Sequence, residues 1–192
     1  MALTPSTNPL VWIDCEMTGL DPNTDRILSI SCYITDHELN LIDKKGYHTI
    51  VSTPKSVLDA MGEWCQRTHT ANGLVEACLS SSAISAELAS TQLLAVHADK
   101  MFLMQQPWAP VLKHLHYRIL DVSAIKEATR RWCNDDVLTG VPMKKLTHSA
   151  DEDIRESIEE ARYYMGLFRG FNNAQGRGGQ DARDGMKSAE GG

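Results

Sequence analysis

Three stretches near the start of the chain carry the hydrophobic patterns of β-strands. Residues 10–15 are a largely apolar run, residues 26–35 alternate between two faces, and a third run covers residues 39–51. The sequences TGLDPNTD and TDHELN between them are rich in turn-forming residues. Because short turns join strands that are neighbours in a sheet, this order predicts an antiparallel meander.

The middle of the chain is mostly helical in pattern. Apolar residues recur at helical spacing, and Ser123 stands where a helix N-cap is expected. Helices are predicted at residues 57–68, 83–94, 98–106, 123–133 and 149–168, and one further strand at 116–123. After the first three strands the chain is therefore predicted to be mostly helical, with one further strand.

Composition divides the chain into three parts. Residues 1–8 are polar and contain a proline, which predicts a flexible lead-in. Residues 9–170 hold the periodic segments, and a chain of 192 residues that is 42% hydrophobic can form one domain with a core. Residues 171–192 are rich in glycine and polar residues, so we expect a disordered tail there.

Charge and cysteine content narrow the class of protein. The formal charge of -6 argues against a broad basic surface, although an acidic protein can still bind phosphates through metal ions. The five cysteines form no CxxC pair, which favours a reducing compartment. No apolar run approaches the ~18 residues of a membrane span, and the first residues resemble no signal or transit peptide. We therefore expect an intracellular protein, cytoplasmic or mitochondrial, without a membrane partner.

Two acids, Asp14 and Glu16, end the first predicted strand. Residues two apart on a strand face the same side, so these carboxylates project together. A divalent cation relieves their repulsion, and hard oxygen ligands suit Mg²⁺ or Mn²⁺. Taken alone, however, most such pairs are solvated strand ends without a metal.

Further candidate residues lie in two of the predicted helices. Asp153 could bind a metal and His148 could act as a general base, because an imidazole exchanges protons near neutral pH. Asp99 is a lone acid in an apolar helical turn. The alternative is that these acids only stabilise helix N-termini. The order of D-x-E, D-[KR]-x-F-L and H-x4-D along one chain is much more specific than any of them alone.

This series resembles the oligoribonuclease family of DEDDh exonucleases. The sequences WIDCEMTGLD, HADKMFL and HSADEDIRES are similar to the three motifs of that family, and the similarity runs over about residues 9–169. The resemblance implies an α/β, ribonuclease H-like fold with a mixed sheet flanked by helices. It also implies a metal-dependent exonuclease that degrades RNA of two to five nucleotides from the 3′ end.

The resemblance also implies roles for individual residues. The acids that match the two-metal site, for Mg²⁺ or Mn²⁺, are Asp14, Glu16, Asp99 and Asp153, and His148 matches the general base. The positions that match substrate contacts are Leu20, Trp64, His69, Tyr117 and Arg118. For Trp64 the alternative is simple core packing. The region around Tyr117 is similar to the surface through which the family forms homodimers.

The chain departs from the family pattern at two places. Ser29 stands where the family usually has an acid. Between Ala95 and Val96, a loop, a strand and a G-N-S turn of the family are absent, so we expect the sheet to lack one central strand. Residues 90–96 could extend to fill that place. The alternative is a shortened, weakly active or inactive form that only binds short RNA or a partner.

Overall fold

A computed structural model describes residues 6–93, 107–108, 119–145 and 148–187, with side chains as far as residue 171. The described residues form two compact units. The first lies within Met1–Leu120 and Lys144–Ser157, and the second within Asp121–Met143 and Ile158–Gly192. The limits predicted from composition, at 1–8, 9–170 and 171–192, stay a prediction.

A three-stranded antiparallel sheet forms the base of the first unit. Its strands are β1 (Leu10–Met17), β2 (Ile27–Thr35) and β3 (Tyr47–Ile50), in the order β1-β2-β3. The predicted antiparallel meander is confirmed. The mixed sheet stays a prediction, because in the described part of the chain the one parallel pairing is an isolated bridge between Val51 and Ile84.

Strand β3 is shorter than the strand predicted at 39–51. The carboxylate of Asp36 accepts hydrogen bonds from the backbone N–H groups of Glu38 and Asn40, so the chain turns here. Leu39 and Gly46 have φ values of 64° and 62°, which lie outside the range of a strand. The hydrophobic pattern therefore predicted the strand correctly at residues 47–50. In the residues before it, local turn chemistry determines the conformation instead.

Four short helices follow the sheet in the first unit. They are α1 (Lys55–Asp59), α2 (Glu63–Ala71), α3 (Leu74–Leu79) and α4 (Ala86–Gln92). The single helix predicted at 57–68 is wrong, because Gly62 has an extended backbone and separates α1 from α2. Gly73, with φ of 81°, turns the chain from α2 into α3, and glycine adopts this conformation without steric strain.

Helix α4 bears on the expected gap in the sheet. Residues 90–92 remain helical and Leu93 has a right-handed helical conformation. The extension of residues 90–96 into a strand is therefore wrong for 90–93, while 94–96 lie outside the described residues. The physical reason is burial, because the helical form packs Ala89 and Leu93 into the core. The helix predicted at 98–106 also lies outside the described residues.

The second unit contains α5 (Val122–Trp132), α6 (Asp135–Thr139) and the part of α7 (Ala150–Lys187) after Ser157. The strand predicted at 116–123 is wrong from residue 119 onward, and 116–118 lie outside the described residues. Asp121, rather than Ser123, caps α5, because its carboxylate accepts hydrogen bonds from the backbone N–H groups of Ser123 and Ala124. Aspartate is as good an N-cap as serine.

Helix α7 begins at the predicted position and continues past its predicted end at 168, as far as Lys187. No proline occurs between residues 150 and 187, and glycine weakens a helix without blocking it sterically. None of the described helices is long and apolar enough to cross a membrane.

The first unit contains two hydrophobic clusters, and the first of them fixes the orientation of β1. The first cluster contains Ile13 and Cys15 of β1 together with Leu93 and Trp108. The second contains Leu28, Leu58, Met61, Leu74 and Cys78. Because Ile13 and Cys15 face the core, the alternation of the strand directs the two acids of β1 to its other face.

Candidate metal centre

Three carboxylates from distant parts of the chain meet in the first unit. Asp14 and Glu16 project from the end of β1, and Asp153 projects from the first turn of α7. One carboxylate oxygen of each lies within 4.8 Å of those of the other two, and all three side chains are half-buried. The structure thus brings together three of the four acids predicted from the sequence.

The electrostatics of this cluster favour a cation. Burial raises the pKa of Asp153, and the neighbouring Glu156 adds to the shift, while Lys144 acts in the opposite direction. Lys144 is itself held by a hydrogen bond from its Nζ to Ser157 Oγ, at 3.0 Å. Half-buried carboxylate oxygens at this spacing are the ligands that a hard divalent cation prefers, so the donor set fits Mg²⁺ or Mn²⁺.

His148 lies next to the cluster, immediately before α7. Together with Glu16 it lines a cleft of about 200 Å³. Its backbone has φ of 52°, which is unusual for a residue with a β-carbon. The indole of Trp64 meets the imidazole edge-on, with ring centroids 5.3 Å apart. The base predicted from the sequence therefore stands beside the carboxylates, in a constrained conformation.

His69 is buried beside one of these carboxylates, that of Glu16. Its Nε2 lies 3.0 Å from the carbonyl oxygen of Met17, and since a carbonyl can only accept, this nitrogen carries the proton. Its Nδ1 lies 3.9 Å from Glu16 Oε2. Burial lowers the pKa of His69, which favours the neutral ring. The substrate contact predicted for His69 stays a prediction.

Leu20 and Trp64 are both exposed near the end of β1. Leu20 is 87% exposed, and Trp64 is 51% exposed, so the core-packing alternative for Trp64 is wrong. The loop that carries Leu20 is fixed by a hydrogen bond from Thr18 Oγ1 to Asp25 Oδ1, at 2.7 Å. A β-carbon at Gly19 would clash with the Asp25 carboxylate, so a larger residue here would displace the side chain that holds Thr18.

Three predicted site residues, Asp99, Tyr117 and Arg118, lie outside the described residues. Conversely, the sequence analysis missed Asn72, whose side-chain amide contacts the backbone of His148. An asparagine before a glycine at the end of a helix indicates a turn, and nothing in the sequence connects it to a residue 76 positions away. Ser29 is buried and pairs with Glu16 across β1 and β2.

Known proteins resemble this chain over most of its length. The sequence profile of the family described as Exonuclease matches residues 11–161. An oligoribonuclease of Haemophilus ducreyi is 44% identical over 176 residues, covering 83% of this chain and 93% of the relative. A probable oligoribonuclease of Drosophila melanogaster is 39% identical, covering 81% and 80%. A mitochondrial oligoribonuclease of Homo sapiens is 38% identical, covering 81% and 71%.

The alignment with the Drosophila melanogaster relative bears on the length of this chain. It runs over 173 residues but covers only 81% of a chain of 192. The aligned region of the relative therefore includes positions that this chain lacks.

Proposed function

This chain belongs to the exonuclease family, and on that premise we propose that it hydrolyses very short RNA from the 3′ end. The observation that carries the proposal is the meeting of Asp14 and Glu16 of β1 with Asp153 of α7, beside His148. The sequence relatives named oligoribonuclease support short RNA as the substrate. The family resemblance implies oligomers of two to five nucleotides.

Two divalent ions, Mg²⁺ or Mn²⁺, would be held by Asp14, Glu16 and Asp153, with Asp99 as the fourth ligand by family resemblance. When bound, such a pair of ions lowers the pKa of a water molecule and stabilises the leaving oxygen of a phosphodiester. The role of these acids is to hold the two ions in place. A bound cation would offset the repulsion between these carboxylates, which supports a metal requirement.

His148 would act as the general base. It faces the same cleft as Glu16, and its imidazole is held edge-on by Trp64. The imidazole takes the proton of the attacking water, and the proton later returns to solvent. Because His148 stands immediately before α7, the same turn of chain carries the base and the ligand Asp153.

The exposed side chains near the cluster would bind the bases of the substrate. Leu20 and Trp64 offer apolar and aromatic surface to a nucleobase, and such stacking contributes ~1–3 kcal/mol per base without regard to sequence. Tyr117 and Arg118 would hold the terminal phosphate and limit the length of the RNA, and Tyr117 would belong to a homodimer interface. Light scattering of the purified chain tests the dimer.

Length-resolved hydrolysis tests the substrate class. RNAs of two, three, five and ten nucleotides, each labelled at the 5′ end, are incubated with the chain and Mn²⁺. We expect the shortest RNAs to be degraded fastest, with products that shorten from the 3′ end. A rate that rises with RNA length would contradict the proposal.

A second candidate function is binding of short RNA without turnover. The observation that favours it is that the relative carries positions which this chain lacks. Equilibrium binding of a labelled dinucleotide, followed by product analysis at high protein concentration, separates the two functions. Binding with no product would support the second, and product formation would exclude it.

A further inference from the structure

Asn72 joins the corner between α2 and α3 to His148, two residues before α7. Its Nδ2 donates a hydrogen bond to the carbonyl oxygen of His148, at 2.9 Å. Its Oδ1 accepts a hydrogen bond from the backbone N–H of Leu74, at 3.1 Å. The side-chain amide is therefore used at both ends, and the bond to Leu74 fixes the direction in which Nδ2 points.

The backbone of His148 needs such support. Its φ of 52° is a left-handed conformation, shared by only one other non-glycine residue in the described part of the chain, Leu39. A conformation of this kind persists only where the surroundings determine it. The bond from Asn72 reaches the carbonyl group of the strained residue itself.

The imidazole of His148 is held by a residue of α2, the helix that ends next to Asn72. Trp64 at the start of α2 contacts the ring, with an interplanar angle of 87°, and Asn72 at the end of α2 contacts the backbone. The two contacts together define both the position of His148 and the direction of its ring. Asn72 and Glu16 also line the same cleft as His148.

We propose that Asn72 is a positioning residue that holds His148 in its strained conformation and directs its imidazole toward the cleft beside Glu16. This inference rests on the proposed function only where His148 is taken as the base. The conformational claim stands on the geometry alone. In this proposal Asn72 acts through His148 rather than on the substrate.

The first test is kinetic. Asn72→Asp keeps the oxygen that accepts from Leu74 but loses the donor to His148, and Asn72→Ala loses both. We expect each variant to lower kcat for dinucleotide hydrolysis by about 10- to 100-fold, because a displacement near 1 Å costs about that much in rate. KM should change by less than about twofold, since the base-binding side chains are untouched.

Two controls separate positioning from general damage. Asn40 donates from Nδ2 to Asp36 in an exposed loop, so Asn40→Asp should leave kcat unchanged, although the melting temperature falls slightly because two carboxylates then lie side by side. In a His148→Ala background, Asn72→Asp should lower the residual rate no further, because the two residues act as a unit. A further loss in that background would show that Asn72 acts otherwise, and would overturn the inference.

The second test does not depend on activity. The ring-proton NMR signals of His148, assigned by their loss in His148→Ala, should be displaced by the ring current of Trp64. In Asn72→Ala this displacement should fall by at least half, and in Asn40→Ala it should persist. If the chain hydrolyses no RNA, the proposed function fails and this measurement still decides the inference. Unchanged His148 signals in Asn72→Ala would overturn it, whatever the activity.

Discussion

The phenol of Tyr33 on β2 donates a hydrogen bond to the carboxylate of Asp151 in the first turn of α7. Arg155, one turn further along, donates to the same carboxylate at 3.1 Å and lies 4.6 Å from the centre of the Tyr33 ring. Burial acts to raise the pKa of Asp151, but the hydrogen bonds from Tyr33 and Arg155 outweigh it and lower the pKa. This group of three side chains ties the start of α7 to the sheet, two residues before Asp153.

Removing the Tyr33 hydroxyl should therefore loosen the metal centre as well as the fold. We expect Tyr33→Phe to lose about 1.5–3 kcal/mol of stability, because a hydrogen bond to a charged group is broken. The same change should weaken the apparent affinity for Mn²⁺. Thermal denaturation with and without Mn²⁺ measures both effects.

Tyr47→Phe is the matched control. The Tyr47 hydroxyl bonds to Gln92 Oε1 at 3.1 Å, in contact with α4 rather than α7. Tyr47→Phe should therefore leave the affinity for Mn²⁺ at the wild-type level. Equal Mn²⁺ affinity in Tyr33→Phe and Tyr47→Phe would show that the Tyr33 group does not support the metal centre.

The three clustered carboxylates should stabilise the protein only when a cation is bound. We expect Asp153→Asn to be at least as stable as the wild type in EDTA, because it removes one of three adjacent negative charges. Mn²⁺ should raise the melting temperature of the wild type but have little effect on Asp153→Asn, since binding to the folded state is what stabilises it. Calorimetry with and without Mn²⁺ measures this difference.

Glu152→Gln provides the control for charge, because Glu152 neighbours Asp153 but lies outside the cluster. It should retain the full response to Mn²⁺. A wild-type protein whose melting temperature is the same in EDTA and in Mn²⁺ would count against a metal centre at these acids.

The cap of α5 predicts a specific dependence of stability on pH. The hydrogen bond from Ser123 lowers the pKa of Asp121 below its ordinary 3.8. Because the folded pKa is lower than the unfolded one, the stabilisation is present above the unfolded value and is lost as the pH falls through the folded value. Asp121→Ala should cost about 0.5–2 kcal/mol at pH 7, and less in acid below the ordinary pKa.

Urea denaturation at neutral and acidic pH checks this prediction. Asp121→Asn keeps a capping oxygen that does not titrate, so its stability relative to the wild type should improve as the pH falls. If Asp121→Ala and Ser123→Ala are equally destabilised at pH 7, Asp121 is not the main cap of α5.

The sequence predicted the parts of the site that depend on local periodicity. The alternation along β1 correctly predicted that Asp14 and Glu16 share one face. The helical pattern correctly predicted that α7 begins near His148. The breaks at Gly62 and Asp36 were missed because single residues with special turn chemistry interrupt patterns that are otherwise continuous. Such interruptions carry little weight in a pattern read over many residues.

The supporting contacts of the site could not be predicted in this way. Tyr33 and Asp151 are 118 residues apart, and Asn72 and His148 are 76 apart. Their pairing depends on how the sheet, α2 and the start of α7 pack together, and no local pattern encodes that. Both pairs use ordinary polar residues whose side chains find partners only after the fold has formed.

The strand predicted to be absent between Ala95 and Val96 leads to a prediction about stability and activity together. By the family resemblance, the absent strand would lie beside β1 and would add backbone hydrogen bonds and apolar side chains to the sheet. We expect insertion of a family-like strand and G-N-S turn between Ala95 and Val96 to raise both the melting temperature and the rate of dinucleotide hydrolysis. A flexible glycine-serine insertion of the same length serves as the control. If neither quantity exceeds that of the control, the existing chain already compensates for the missing segment.

Hydrolysis of a labelled RNA dinucleotide tests the central claim most directly. Purified protein is assayed in Mn²⁺ and in EDTA, together with Asp14→Asn, and circular dichroism confirms that all samples are folded. The account predicts mononucleotide product from the wild type in Mn²⁺, and none from the wild type in EDTA or from Asp14→Asn in Mn²⁺. Equal product in Mn²⁺ and EDTA, or full activity of Asp14→Asn, would contradict it.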